Sequence, residues 1–236
     1  MSGTEARPVV SRAQWLEARR ALMAREKELT RLREEVAEQR RALPWVRIEA
    51  NYSFDAPQGK ESLADLFAGR SQLLVYHFMF PPSWEEGCKS CSFWADGFDG
   101  LGAHLNARDV SFAVVSKAPL AKLEGFRRRM GWSFHWVSSA ASDFNRDFGV
   151  SFEPQELAER RLVYNFGTLP FGVEEAPGMS VFAKSERGEV FHSYSCYSRG
   201  IDMMNPTYHL LDLVPKGRDE AGLAFPMAWV RHHDRY

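Results

Sequence analysis

The chain has 236 residues, 44% of them hydrophobic and 13% aromatic, with a formal net charge of −1. That composition excludes a disordered chain and allows one large domain, or a domain with an appendage. The near-zero charge removes any bulk electrostatic reason to expect nucleic acid or an anionic membrane as partner.

The opening residues, Met1 to Pro8, hold no apolar signal segment, and no stretch is apolar for long enough to span a bilayer. Three cysteines are too few for a disulfide framework, so a reducing cytoplasm is the expected location. Ser11-Arg-Ala-Gln14 has the pattern of a capping box, and the stretch to about Leu43 has few helix breakers. Trp15, Leu22, Leu29, Val36 and Leu43 recur every seven residues, with Ala18 and Leu32 on the adjacent line. The spacing predicts one long amphipathic helix, about 45 Å at 1.5 Å per residue. Arg25 and Gln39 interrupt the second seam line, so packing on its own domain or on a second subunit is expected, with a homo-oligomer as one outcome.

Pro44 stops the helix, and residues 51–60 read as a hairpin around a Pro/Gly turn. A short helix is expected from Ser62 to Phe67, ending at Gly69. The run from Leu73 to Phe80 is apolar on both alternating faces, which predicts a buried central strand ending at Pro81-Pro82. Cys88 and Cys91 follow, in Gly87-Cys-Lys-Ser-Cys-Ser-Phe-Trp94. If Cys88 opens a helix, Cys91 lies one turn along the same face, within bridging reach. The helix dipole, unpaired backbone N–H groups and Lys89 then favour a thiolate at Cys88, while Glu85 and Glu86 oppose it. Cys91, one turn deeper, suits the role of resolving thiol. Gly87, lacking a side chain, leaves room for a partner backbone at the sulfur. The same pair also fits half of a zinc site, with His192 and Cys196 as further ligands, a structural disulfide, or two buried thiols. The strand–loop–helix setting favours redox exchange.

Beyond the pair, a helix is expected from Phe93 to Leu105, loosened by Gly97, Gly100 and Gly102. Val110 to Ser116 reads as a second buried strand, and Pro119 to Met130 as a helix with proline at its start. Strand, helix, strand, helix argues for parallel pairing through right-handed crossovers. From Gly131 to Glu175 aromatic residues are dense but lack a period, which suits a packed flank of the core. Met179 to Lys184 and Glu189 to Tyr194 form an antiparallel hairpin across residues 185–188. Pro206 to Leu213 is a last helix. The closing Trp229 to Tyr236, with His232 and His233, reads as a solvated tail, and Cys196 as a buried strand thiol. His77 reads as a core histidine, with proton transfer to the pair as the alternative. The expected organisation is a helical extension over residues 1–45, a domain over 46–220 and a tail over 221–236.

Taken in order, these elements resemble the thioredoxin fold: an α/β, central mixed sheet flanked by helices. More narrowly, the chain resembles a bacterial thioredoxin-like family of unknown function described as predicted dithiol-disulfide oxidoreductases. The residues that carry the likeness are 87–96, 177–182, 190–195, 199–202, 211–219 and the last eight. The resemblance implies that Cys88 attacks and Cys91 resolves. It also implies that Pro177 is a cis-proline facing the pair and exposing a backbone edge to a client strand, with Pro170 as a rival. Trp84, Gly87, Lys89 and Pro177 are then the residues expected to meet the substrate, a protein or small-molecule disulfide or thiol. No cofactor and no metal is called for.

Departures from thioredoxins are Gly87 where tryptophan usually precedes the first cysteine, Lys-Ser between the cysteines, and no buried acid ahead of them. Two other functions compete. Pro81 stands seven residues before Cys88 as in peroxiredoxins, but Glu85 fills the threonine position, where a carboxylate repels a thiolate. A non-enzymatic metal-binding or docking module on the same scaffold is the third.

Overall fold

A run of branched and aromatic residues with no polar alternation has to be covered on both faces, and Gln72–His77 is so covered. In the computed structural model, which describes residues 7–159, 163–167 and 172–236, the chain divides into two compact units, Met1–Pro44 and Trp45–Tyr236.

The first unit is helix α1, Arg12–Arg41. Ser11 and Gln14 close the capping box reciprocally, satisfying two backbone donors that a helix start leaves open. Trp15, Leu22, Leu29 and Leu32 are all exposed.

The second unit is built on one eight-stranded sheet in the order β1-β8-β7-β4-β5-β6-β2-β3. The strands are β1 Val46–Arg47, β2 Ser53–Ala56, β3 Gly59–Ser62, β4 Gln72–His77, β5 Val110–Ser116, β6 His135–Ser138, β7 Gly178–Lys184 and β8 Val190–Tyr197. The helices after α1 are α2 Lys89–Phe98, α3 Gly102–Asn106, α4 Leu120–Arg129, α5 Phe144–Asp147, α6 Pro154–Ala158 and α7 Pro206–Leu211. β4, β5 and β6 run parallel, joined by crossovers through α2–α3 and α4, while β7 lies antiparallel to β4 and β8 antiparallel to β7. This is the thioredoxin-like mixed α/β arrangement, with a hairpin added beyond β6 and a two-residue strand beyond β8.

Side chains alternate across the sheet and so form two cores. Leu73, Val75, Ala113 and Val115 join one, with Phe54, Phe144 and Phe148. Tyr76, Val114, Trp136 and Met179 join the other, which holds Cys91, Trp94 and Phe126. The aromatic stretch after Gly131 is therefore shared between both cores, and it contains a strand, β6, that its composition does not announce. The expected helix from Phe93 to Leu105 is two helices, broken at residues 99–101, where Gly100 adopts φ +84°.

Two expectations are corrected. The closing residues are not a solvated tail: His232 is buried, its Nε2–H donating to the Gly87 carbonyl at 2.9 Å, and His233 bonds Asp96 at 2.7 Å. Arg129 ties the same segment down through Asp234 and reaches Glu86 at 2.7 Å. The zinc set is also not assembled. A register shift between Val181 and Phe182 pairs Met179 with Cys196 but Phe182 with His192. This bulge turns the two candidate ligands to opposite faces, Cys196 into the core of Cys91 and His192 against Phe148 and Phe182. Among the described residues no group of three or more His, Cys, Asp or Glu is placed to hold a metal. No helix among them is long and apolar enough to cross a membrane.

Candidate active site

Cys88 is the N-cap residue of α2, with non-helical backbone (φ −53°, ψ 126°), and its Sγ accepts the Cys91 N–H at 3.4 Å. A sulfur in that place meets the unpaired N–H groups and positive end of the helix, the setting that favours a thiolate. Three residues fix it there. Met79 O accepts the Cys88 N–H at 3.1 Å, and Ser92 Oγ donates to Cys88 O at 2.9 Å. Gly87, immediately before, is buried, and a Cβ on it would lie 2.7 Å from Phe78 Cε1 and 2.9 Å from Phe126 Cε1. Glycine is thus needed for the loop to press onto two core rings. The expectation that it leaves room for a partner's backbone is corrected, since the vacant side faces inward.

Cys88 is partly exposed and Cys91 buried, and both are free thiols. The Cys88 thiol is brought down to about 7, first by the hydrogen bond from Cys91, then by the Cys91 and Ser90 backbone N–H groups and the Lys89 charge, against the cost of burial. The Cys91 thiol is pushed well up, first by burial and then by the neighbouring sulfur. The contest between acidic and basic neighbours is settled by pairing. Glu86 is engaged by Arg129 and by Arg235, and Glu85 lies 89% exposed with Lys122 at 3.3 Å. Lys89 donates to Ala228 O at 3.0 Å and lies 5.9 Å from the Phe225 ring.

The pair borders two spaces. A cavity of about 360 Å³ is lined by Cys88, Cys91 and Pro177, with Tyr76, Met79, Trp94, Ile201 and Met227. A wider groove touches Cys88 but not Cys91, and Trp84, Gly87 and Lys89 border it with Trp229. The six residues singled out in the sequence are therefore all brought round the first sulfur, on two different sides of it.

Pro177 precedes β7 beside the pair, but among the described residues no peptide bond is cis, so the cis-proline expectation is corrected. The backbone edge expected there is also in use. Ala176 N–H bonds Val150 O and Phe152 N–H bonds Glu174 O, both at 2.9 Å, and Tyr164 OH bonds Pro177 O at 2.7 Å. The rival Pro170 lies outside the described residues. His77 stacks on Phe144 and Phe148 and bonds Ser180 at 2.8 Å, on the face of β4 opposite Tyr76. It is a core histidine whose burial lowers its basicity to about 3.

Sequence reasoning missed Glu175, a buried acid two residues before Pro177. Burial raises it to about 8 against hydrogen bonds from Ser151 and the Phe80 backbone. It also missed the closing residues as walls of the site, because contacts such as that from His232 to Gly87 span most of the chain.

A model of the bacterial family of unknown function DUF899 matches residues 4–236. The chain belongs to that family. No curated protein matches the sequence. Among solved structures, peroxidoxin BcpB from Mycobacterium tuberculosis is similar over 70% of this chain and 95% of its own, at 15% identity and a TM-score of 0.46. Peroxiredoxin Q of Xanthomonas campestris is similar over 72% and 97%, at 16% identity and a TM-score of 0.47. Likeness at this level carries no information about activity.

Proposed function

We propose that this DUF899 protein is a thiol–disulfide oxidoreductase working through Cys88 and Cys91. The observation that carries the reading is the helix-capping sulfur of Cys88, which accepts the Cys91 N–H at 3.4 Å with a second thiol one turn deeper. Cys88 thiolate attacks one sulfur of a substrate disulfide, forming a mixed disulfide and releasing the other half as a thiolate. Cys91 then attacks Cys88 Sγ, and its proton passes to the departing thiolate. Two electrons have moved to the substrate, and the Cys88–Cys91 disulfide is reset by an external dithiol reductant. Cys91, held protonated by burial, waits until the mixed disulfide forms. The electron pair resides in the sulfurs, so the reaction runs without metal or cofactor. The cytoplasm, a thiol-reducing compartment, supplies the reductant.

Glu85 weakens the peroxidase reading, because it points to solvent and brings no hydroxyl to the sulfur. Cys91→Ser tests the proposal: it is expected to trap a reductant-reversible adduct on Cys88 from cell extract. Rapid peroxide consumption by Cys88 alone, or stoichiometric zinc in reduced protein, would replace it with the peroxidase or the metal-binding reading.

A further inference from the structure

We infer that the substrate is a neutral, low-molecular-weight disulfide with apolar arms, taken up in the cavity beside Cys88, rather than a protein strand laid along Pro177. The inference rests on the exchange reading above and concerns what that site admits.

A client strand needs a free backbone edge next to the pair. Here residues 174 and 176 are already bonded to residues 152 and 150, and the Pro177 carbonyl is taken by Tyr164. Glu175 and Ala176 are 3% and 2% exposed. The edge is internal.

Exchange also needs a space at Cys88 that holds the substrate and then its leaving half, with Cys91 closing on Cys88 Sγ from the side opposite that leaving group. Of the two spaces at Cys88 described above, the cavity, which also borders Cys91, is the more enclosed and the more apolar. Its volume of about 360 Å³ stands at the small end of the roughly 300–1,000 Å³ typical of small-molecule sites. Its walls are largely apolar, and the charged groups set into them are engaged. Arg218 forks onto Asp202 at 2.9 and 3.0 Å and reaches Asp212 at 2.8 Å. Glu220 accepts Tyr208 OH and Trp229 Nε1, each at 2.7 Å, and the Met227 N–H at 2.9 Å. Arg199, at the rim, lies 3.9 Å from Asp202. Inside the cavity Arg218 is therefore taken up by two carboxylates and Glu220 by three neutral donors, while Arg199 stands at the rim with its side chain 78% exposed, so a charged arm would have to displace these bonds to gain a partner within the cavity.

The chemistry is the exchange already written. The dithiol and one small disulfide give the Cys88–Cys91 disulfide and two small thiols, or a single small dithiol when the disulfide is cyclic.

The test oxidises reduced protein, in single turnover, with lipoamide, diethyl disulfide, glutathione disulfide and insulin, and follows loss of the Cys88 and Cys91 thiols by peptide mapping. The two small neutral disulfides are expected to react at least ~10-fold faster than glutathione disulfide and insulin. Equal or faster reaction with glutathione disulfide or insulin overturns the inference and leaves the exchange reading standing. No loss of the two thiols with any of the four overturns the exchange reading itself. Met227→Trp, which fills the cavity, is expected to slow lipoamide ~10-fold, whereas Val173→Trp, on the outer groove, leaves the rate unchanged. The reverse pattern places the route in the groove and overturns the inference. The wild-type comparison decides the matter even if a variant fails to fold.

Discussion

Replacing Cys91 by alanine removes the first of the causes that hold the Cys88 thiol near 7, the hydrogen bond from the deeper thiol, while sparing the Ser90 and Cys91 backbone N–H groups and Lys89. The fall from the ordinary value of 9.0 to about 7 is worth on the order of 3 kcal/mol in favour of the thiolate. At neutral pH that raises the ionised fraction from ~1% to about half. Since the lost bond is the largest contributor, Cys91→Ala should move the midpoint upward, by more than any other single substitution at the site. Lys89→Met should give back less, because the Lys89 charge is last among the causes and is drawn onto Ala228 O. Cys91→Ser keeps a donor and should fall between alanine and wild type. The assay is the pH profile of alkylation at Cys88, read on its own peptide. The midpoint is the quantity to compare, because a more basic thiolate is also intrinsically more nucleophilic and partly masks the change in rate at one pH. A midpoint in Cys91→Ala equal to the wild-type one would refute the claim that the deeper thiol acidifies the outer one.

Gly87→Ala places a methyl against Phe78 and Phe126, two buried rings with nowhere to move, and should cost about 1–3 kcal/mol in urea unfolding. His232→Ala leaves the buried Gly87 carbonyl without its donor and should cost about 1–3 kcal/mol; unchanged stability would show that the closing segment does not hold the cysteine loop. Glu175 titrates higher in the folded chain, about 8, than its ordinary 4.5, so its contribution is full below the unfolded value and lost as pH rises through the folded one. Relative to Glu175→Gln, the wild type should therefore lose on the order of 3–5 kcal/mol between about pH 5 and about pH 9, and parallel stability curves would contradict the burial argument.

The centre of the fold was legible because its signals are local. β4 and β5 lie in predominantly apolar runs closed by prolines or serines, α4 opens on Pro119, and the turn at residues 185–188 separates β7 from β8. The cysteine pair was legible for the same reason: spacing and position after a strand set its place at a helix start. What escaped depends on distant partners. β6 is four residues long and its Trp136 is indistinguishable in sequence from the aromatic residues around it. The bulge that separates His192 from Cys196 has no glycine or proline to mark it. Nothing near His232 or Glu175 announces burial, which comes from loops more than a hundred residues away in one case and from the Ser151 bridge in the other.

The most direct measurement equilibrates the protein in a series of thiol–disulfide buffers and maps its thiols by mass spectrometry. One two-electron transition is expected, with Cys88 and Cys91 lost together to a single disulfide while Cys196 stays a thiol. Cys88 paired with Cys196, or both site thiols persisting in the most oxidising buffer, would contradict it.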